Sequence, residues 1–286
     1  MRRSCTGAVL QSGDLPPGSA GEWRLIHSGP GAGPWNLALD DAVFRSVRAR
    51  ESPPTLRFYA WSAPTLSLGY AQDRDRDVDL DACRTLGIAV LRRVTGGRAV
   101  LHDHELTYSV AAPDGTPPFG AGLEPAYRAV AAGLCSGLRL LGLEATPAPR
   151  DRAGRRRHPG CFAAPARHEI VAGGRKLVGS AQRREGGAFL QHGSILFKGH
   201  GTLLGRVVPA GADSAAGEGM VGLADLLQPC PSREETADAV AAGCAAAWGV
   251  RFRRGAPSPA EIRLARQLEA DRYLSERWNA GSRGSR

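Results

Sequence analysis

Three stretches of this chain place reactive or charge-bearing residues where they could act together. Cys161 stands in Gly160-Cys161-Phe162-Ala163-Ala164-Pro165, behind a basic, proline-flanked loop, which puts it at a loop–strand junction. A thiolate so placed is a candidate nucleophile. Cys135 and Cys244 instead fall in apolar and alanine-rich helical patterns and read as buried filler. Lys176 follows the tight turn Gly173-Gly174 and precedes the small residues Gly179, Ser180 and Ala181. An ammonium beside a thiol favours its ionised form, and small residues leave room for an extended ligand. A lysine in such a strand also fits a plain solvated edge charge. The third stretch joins two strands through Thr95-Gly96-Gly97, with Arg92 and Arg93 just before it. Two glycines let backbone N–H groups approach a carboxylate, phosphate or developing oxyanion. The same residues also fit a hairpin turn with two solvent-facing arginines. His102 and His104 flank Asp103; alternate strand positions face opposite ways, so the three cannot share one site and one histidine is structural.

The elements that must position these residues are legible from periodicity. A strand over Trp23–His27 leads through the glycine-rich loop at residues 28–34 into a helix opening near Asn36, with Leu39, Val43, Phe44 and Val47 on one face. Gly29, Gly31 and Gly33 lack the setting of a dinucleotide fingerprint, because two prolines interrupt them and no acidic residue follows at the required distance. Strands are expected over Thr55–Trp61, Thr65–Tyr70, Ile88–Val94, Ala99–His102 and Leu106–Ala112, with one short helix over Asp73–Leu86. A long helix, Glu124–Leu143, precedes a second strand cluster, Arg175–Arg184 and Ala188–Phe197. Capping boxes open two late helices at Ser232 and Ser258. Strands and helices are grouped rather than alternating, which predicts an α+β fold with mixed or antiparallel sheets flanked by helices.

Composition narrows the class further. The 286 residues suffice for a well-buried core, and the apolar runs are too short to cross a bilayer. No apolar export segment follows Met1-Arg2-Arg3, so a cytoplasmic protein is expected. Six cysteines show neither CxxC pairs nor zinc-like spacing with histidine, so neither a metal site nor a disulfide framework is expected. The chain carries 37 basic against 28 acidic residues, a formal charge of +9. Without a basic stripe interleaved with aromatics, that charge gives no case for nucleic-acid binding.

Taken together, Arg-Arg-x-Thr-Gly-Gly-x-Ala-Val-x-His (92–102), the Cys161 motif and Gly-Arg-Lys-x-x-Gly-Ser-Ala-Gln (174–182) resemble the lipoate–protein ligase A family, which shares its fold with biotin–protein ligases. Arg57–Trp61 and Pro64–Tyr70 add to the match, which spans about Trp23 to Phe197 and continues weakly through Trp278-Asn279. The likeness is greatest to the cysteine-dependent octanoyltransferases of that family. ATP-using ligases keep the lysine but typically lack the cysteine, and more often read Ser-Gly-Gly-Gly and His-Asp-x-Gly-Asn where this chain has Thr95-Gly96-Gly97-Arg98 and His102-Asp103-His104-Glu105.

The resemblance implies a class II synthetase-like catalytic domain over residues 21–255, between a tail at 1–20 and a C-terminal helix and tail at 256–286. It implies that Cys161 carries an acyl thioester, that Lys176 lowers its pKa, and that Arg93, Thr95, Gly96, Gly97, His102, Gly179 and Ser180 bind substrate. The donor would be octanoyl-acyl carrier protein. The acceptor would be a lysine on an apo-lipoyl-domain protein, such as the glycine cleavage H protein or a 2-oxoacid dehydrogenase E2. No cofactor would be required, and the chain, with too little sequence beyond Pro257 for an accessory domain, would act as a monomer without membrane or nucleic acid. An ATP/Mg-dependent lipoate ligase and an amidotransferase between lipoyl proteins are the alternatives. An apolar tunnel for the acyl chain is expected among Leu66, Leu68, Val94 and Val178, and the basic loop at 150–158 is either a docking element or a solvated loop.

Overall fold

The structure, a computed structural model, describes residues 21–148, 169–199, 201–208 and 219–281. The elements run β1 (Glu22–Gly31), α1 (Gly33–Arg48), β2 (Thr55–Trp61), β3 (Thr65–Leu68), α2 (Arg74–Asp77), α3 (Leu80–Thr85), β4 (Ala89–Arg92), β5 (Val100–His102), β6 (Glu105–Pro113) and α4 (Leu123–Leu140). They continue with β7 (Thr146–Pro147), β8 (Ile170–Ala172), β9 (Arg175–Glu185), β10 (Ala188–Leu196), α5 (Gly201–Val207), α6 (Leu223–Leu226), α7 (Arg233–Trp248), β11 (Arg251–Arg254), α8 (Pro259–Leu268) and α9 (Glu276–Ala280).

Among the described residues, the strands form an eight-stranded sheet, β11-β1-β2-β6-β10-β9-β8-β7, and a three-stranded sheet, β4-β3-β5. In the large sheet β1 lies parallel to both β11 and β2, and the remaining neighbours are antiparallel. This is the mixed α+β arrangement expected from the grouping of elements. The central strands β6 and β10 are buried along almost their whole length, because helices cover both faces. On one face α4 and α7 enclose Phe58, Tyr108, Val110 and Phe189; on the other, α1 and α8 enclose Ala111, Ala188 and Leu190. A third cluster lies under the small sheet, where Leu66, Leu68 and Leu101 meet Cys83 and Leu204.

Two local departures from the expected elements have simple causes. β1 runs on through the glycine-rich loop to Gly31, pairing with β2 across a bulge between His27 and Pro30, and α1 then opens at Gly33. Pro34 in the first turn presets the helical φ, so the helix begins earlier than its apolar face suggests. The segment 73–86 forms two short helices rather than one. Asp73 and Asp79 each cap a helix through the side chain, and Val78 between them is extended. Both capping boxes, at Ser232 and Ser258, are formed as read. Cys135 and Cys244 are buried on α4 and α7, and desolvation pushes the Cys135 thiol up to about 11, well away from nucleophilic use.

Candidate active site

A cleft lies between the small sheet, the Thr95–Arg98 turn and the β9–β10 hairpin. Ser67, Arg93, Gly97, His102, Glu169, Lys176, Gly179, Ser180 and His192 all contribute to its wall. β9 supplies Lys176, Gly179 and Ser180 together. The Lys176 side chain folds back over Gly179, where an added Cβ would sit 2.8 Å from Cε and 3.0 Å from Nζ. Glu169 accepts a hydrogen bond from the Lys176 ammonium and holds it in place. Ser180 is fixed by the Tyr108 hydroxyl at 2.6 Å. Cys161 and the basic loop at 150–158 lie outside the described residues.

Neither arginine beside the glycine turn faces solvent, contrary to the hairpin-turn expectation. Arg92 and Arg93 are only 2% and 3% exposed. All five Arg93 donors are engaged within the protein. Nε reaches Thr95 Oγ1 at 3.1 Å, Nη1 reaches Ser67 O and Oγ at 2.7 and 3.1 Å, and Nη2 reaches Gly96 O and Arg98 O, both at 2.7 Å. Arg93 is part of the cleft wall and at the same time holds the carbonyls of Gly96 and Arg98, which fixes the shape of the glycine turn. Thr95 is fully buried beneath that turn. Arg92 donates to the carbonyls of Gly69, Tyr70 and Gln72 and to those of Trp278, Asn279 and Ala280, tying β3's exit to the C-terminal helix.

The two histidines of the motif separate as expected, and the reason is a chain reversal at the end of β5. His104 has φ 48° and a side chain 64% exposed. His102 points into the cleft, with Trp61 stacked on it at 3.9 Å between ring centroids and 12° from parallel. His102 Nδ1 lies 2.8 Å from Glu105 Oε1, and Nε2 lies 2.7 Å from Ser67 Oγ. Glu105 Oε1 also accepts from Thr107 at 2.6 Å and from Ser194 at 2.8 Å.

Behind this row sits a second chain. His192 Nε2 lies 2.7 Å from Thr95 Oγ1, and Nδ1 lies 3.5 Å from Asp40 Oδ2. Asp40 also accepts from Arg57 Nη1, Tyr59 OH and Ser109 Oγ at 2.7 to 2.8 Å. Burial alone would raise the Asp40 carboxyl, but Arg57 and the bonds from His192 and Ser109 prevail and hold it at about 2. Burial lowers the His192 pKa, so its imidazole stays neutral at physiological pH. Asp40, Ser67, Glu105, Glu169 and His192 were not singled out from sequence. Period-two alternation would have pointed to Ser67, since Leu66 and Leu68 on either side both enter one core cluster.

Residues 33–245 match the lipoyl protein ligase A/B catalytic domain, some three quarters of the chain. The chain belongs to this family. It is 41% identical over 269 residues to the octanoyltransferase LipM of Kyrpidia tusciae, covering 90% of this chain and 98% of that one. To the LipM of Symbiobacterium thermophilum it is 39% identical, covering 90% and 97%. Among solved structures, a lipoate–protein ligase A bound with ATP superposes with a TM-score of 0.79 at 29% identity, covering 91% of this chain and 99% of that one. The protein Ta0514 from T. acidophilum, with bound lipoic acid, gives 0.76 at 29% identity, covering 91% and 100%.

Gly97, His102, Lys176, Gly179 and Ser180 line one cleft, with Gly96 next to Gly97 in the turn. The four residues expected to wall an acyl tunnel are not grouped. Leu66 and Leu68 belong to the cluster under the small sheet, Val178 to the α4–α7 core and Val94 to the α1 core. None of the four lines the cleft, whose apolar wall includes Leu37, Trp61, Ala99 and Val100.

Proposed function

We infer that this protein transfers an octanoyl group from octanoyl-acyl carrier protein to a lysine of a lipoyl-domain protein, through a thioester on Cys161. The observation that carries the reading is the placement of Lys176. Its ammonium is held by Glu169 at the wall of a cleft that also contains the glycine turn and His102. Glu169 stands eight positions after Cys161 in the sequence. The likeness to proteins named octanoyltransferase LipM over nearly their whole length supports the same activity.

The chemistry follows from the parts. A Cys161 thiolate, favoured by the Lys176 ammonium, attacks the donor thioester; one thioester replaces another, so no ATP is consumed. Backbone N–H groups of the Gly96–Gly97 turn, together with Lys176, stabilise the tetrahedral oxyanion. The acceptor lysine then displaces the cysteine, and the greater stability of the amide drives the step. The H protein and E2 lipoyl domains are the expected acceptors, and a monomer is the expected working form.

Intact-protein mass after mixing with octanoyl-acyl carrier protein, without ATP, tests the reading. Wild type should gain one octanoyl adduct that an apo-lipoyl domain discharges, and Cys161→Ala should gain none. A ligase is the second reading, favoured by the superposition on a lipoate–protein ligase A. It requires no adduct and attachment of lipoate only when ATP is supplied.

A further inference from the structure

Among the described residues two carboxylate–histidine–hydroxyl chains meet at Arg93. One is Asp40–His192–Thr95 and the other Glu105–His102–Ser67. Arg93 donates to both terminal hydroxyls, from Nε to Thr95 and from Nη1 to Ser67. The two differ in what they face. Both terminal hydroxyls are buried, and His192 lines the cleft as His102 does, but Thr95 itself is not part of the wall and Asp40 is pinned by Arg57, Tyr59 and Ser109, so the first chain is framework. In the second, both Ser67 and His102 form part of the cleft wall that holds Lys176 and Gly179.

The hydrogen-bond pattern sets the direction of the second chain. Glu105 Oε1 takes hydrogen bonds from two hydroxyls as well as from His102, so the carboxylate acts as acceptor and His102 Nδ1 carries the proton. In the tautomer with its proton on Nδ1, Nε2 is an acceptor to which the Ser67 hydroxyl donates while the Ser67 lone pairs accept from Arg93. This is the geometry of a base oriented by a carboxylate and reaching the cleft through a hydroxyl. Trp61 stacked on the ring locks its plane.

We propose that Glu105–His102–Ser67 is a proton relay that deprotonates the attacking lysine in the second half-reaction, a role that rests on the acyl-thioester reading above. A lysine side chain has a pKa of about 10.4 and arrives as an ammonium. One proton passes from nitrogen to Ser67 Oγ as the Ser67 proton moves to His102 Nε2, leaving an imidazolium paired with Glu105. The freed lone pair forms the C–N bond and the carbonyl π pair moves to oxygen. When the C=O re-forms, the C–S bond breaks with its pair on sulfur, and the second nitrogen proton goes to the Cys161 thiolate. The products are the amide, the thiol and an imidazolium that returns its proton to water. The relay serves only this step, because the first half-reaction has no amine to deprotonate.

The test uses purified octanoyl-enzyme, discharged in a single turnover either by an apo-lipoyl domain or by hydroxylamine, which is largely unprotonated at neutral pH. In His102→Asn, Glu105→Gln and Ser67→Ala, any loss in acyl-enzyme formation should be far smaller than the loss in discharge onto the lysine. Discharge onto the lysine should fall by about 10²-fold or more, and discharge by hydroxylamine should change little. Equal losses toward both nucleophiles would mean that these groups only shape the cleft, and would overturn the relay. Wild-type lysine discharge in both His102→Asn and Glu105→Gln would overturn it too, as would an adduct on Cys161→Ala that disappears in Ser67→Ala. Absence of any adduct on wild type would remove the thioester reading and the relay with it, an outcome distinct from all of these.

Discussion

Asn279 Oδ1 accepts the backbone N–H of Arg92 at 2.9 Å, joining two residues 187 positions apart. The same side chain donates to Tyr273 O at 2.9 Å, and Trp278 Nε1 donates to Arg92 O at 2.8 Å. The end of the chain thus completes the hydrogen bonding of β4, and through Arg92 it braces the loop at 69–72. That loop in turn receives the glycine turn, since Tyr70 N donates to Thr95 O at 2.9 Å.

Asn279→Ala should therefore act on the cleft although it does not touch it. Leaving the buried Arg92 N–H unpaired costs about 1–3 kcal/mol, readable as a lower denaturant midpoint with an unchanged slope. Amide exchange at Tyr70 should quicken in the same variant. Protection equal to wild type there would show that the C-terminal helix does not brace the turn.

Arg57 and Asp40 form a salt bridge at 2.7 Å with side chains 0% and 2% exposed. Breaking it from one side strands a charge, so Arg57→Ala should destabilise the protein by about 3–5 kcal/mol. Arg57→Lys should recover little, because the guanidinium also reaches Ser28 Oγ, Asn36 O and Asn36 Oδ1, a fork that an ammonium cannot match. Equilibrium unfolding of the two variants checks both statements.

Acid should weaken the fold in two windows. The His192 pKa is lowered by burial, so below about pH 6.5 the unfolded chain takes up a proton that the folded one does not, and stability falls with pH. Asp40 is held at about 2, so its contribution is complete above about pH 4 and disappears as the pH falls toward 2. Its size is on the order of 2 kcal/mol. His192→Gln should flatten the upper window and Asp40→Asn the lower one, as read from unfolding free energies measured across pH.

Two glycines should respond differently to a methyl group. At Gly69 a Cβ would lie 2.0 Å from the Gly97 carbonyl oxygen, a backbone atom that cannot yield without moving the turn. Gly69→Ala should lower both stability and activity. At Gly179 the clash is with the flexible end of Lys176. Gly179→Ala should leave the melting temperature nearly unchanged while slowing acyl-enzyme formation, which a paired thermal melt and mass assay would separate.

The order and class of the elements and the capping of α7 and α8 followed from local rules: periodicity, turn residues and caps act over a few positions and need no tertiary partner. His102 and Lys176 stood out only through the resemblance of their motifs to a known family, since by local rules alone the lysine also fits a solvated edge charge and the glycines a plain hairpin turn. The state of Arg92 and Arg93 was not legible. A guanidinium is exposed or buried according to which carbonyls fold around it, and those come from 67–72, 96–98 and 278–280. The expected tunnel failed because apolar character marks a residue for burial without saying in which core, and the four chosen residues divide among three. Asp40, Ser67, Glu105 and His192 carry no shared sequence signal. Strand pairing and the packing of α1 on the sheet bring them beside Arg93, and only the tertiary structure turned four scattered polar residues into two oriented hydrogen-bond chains.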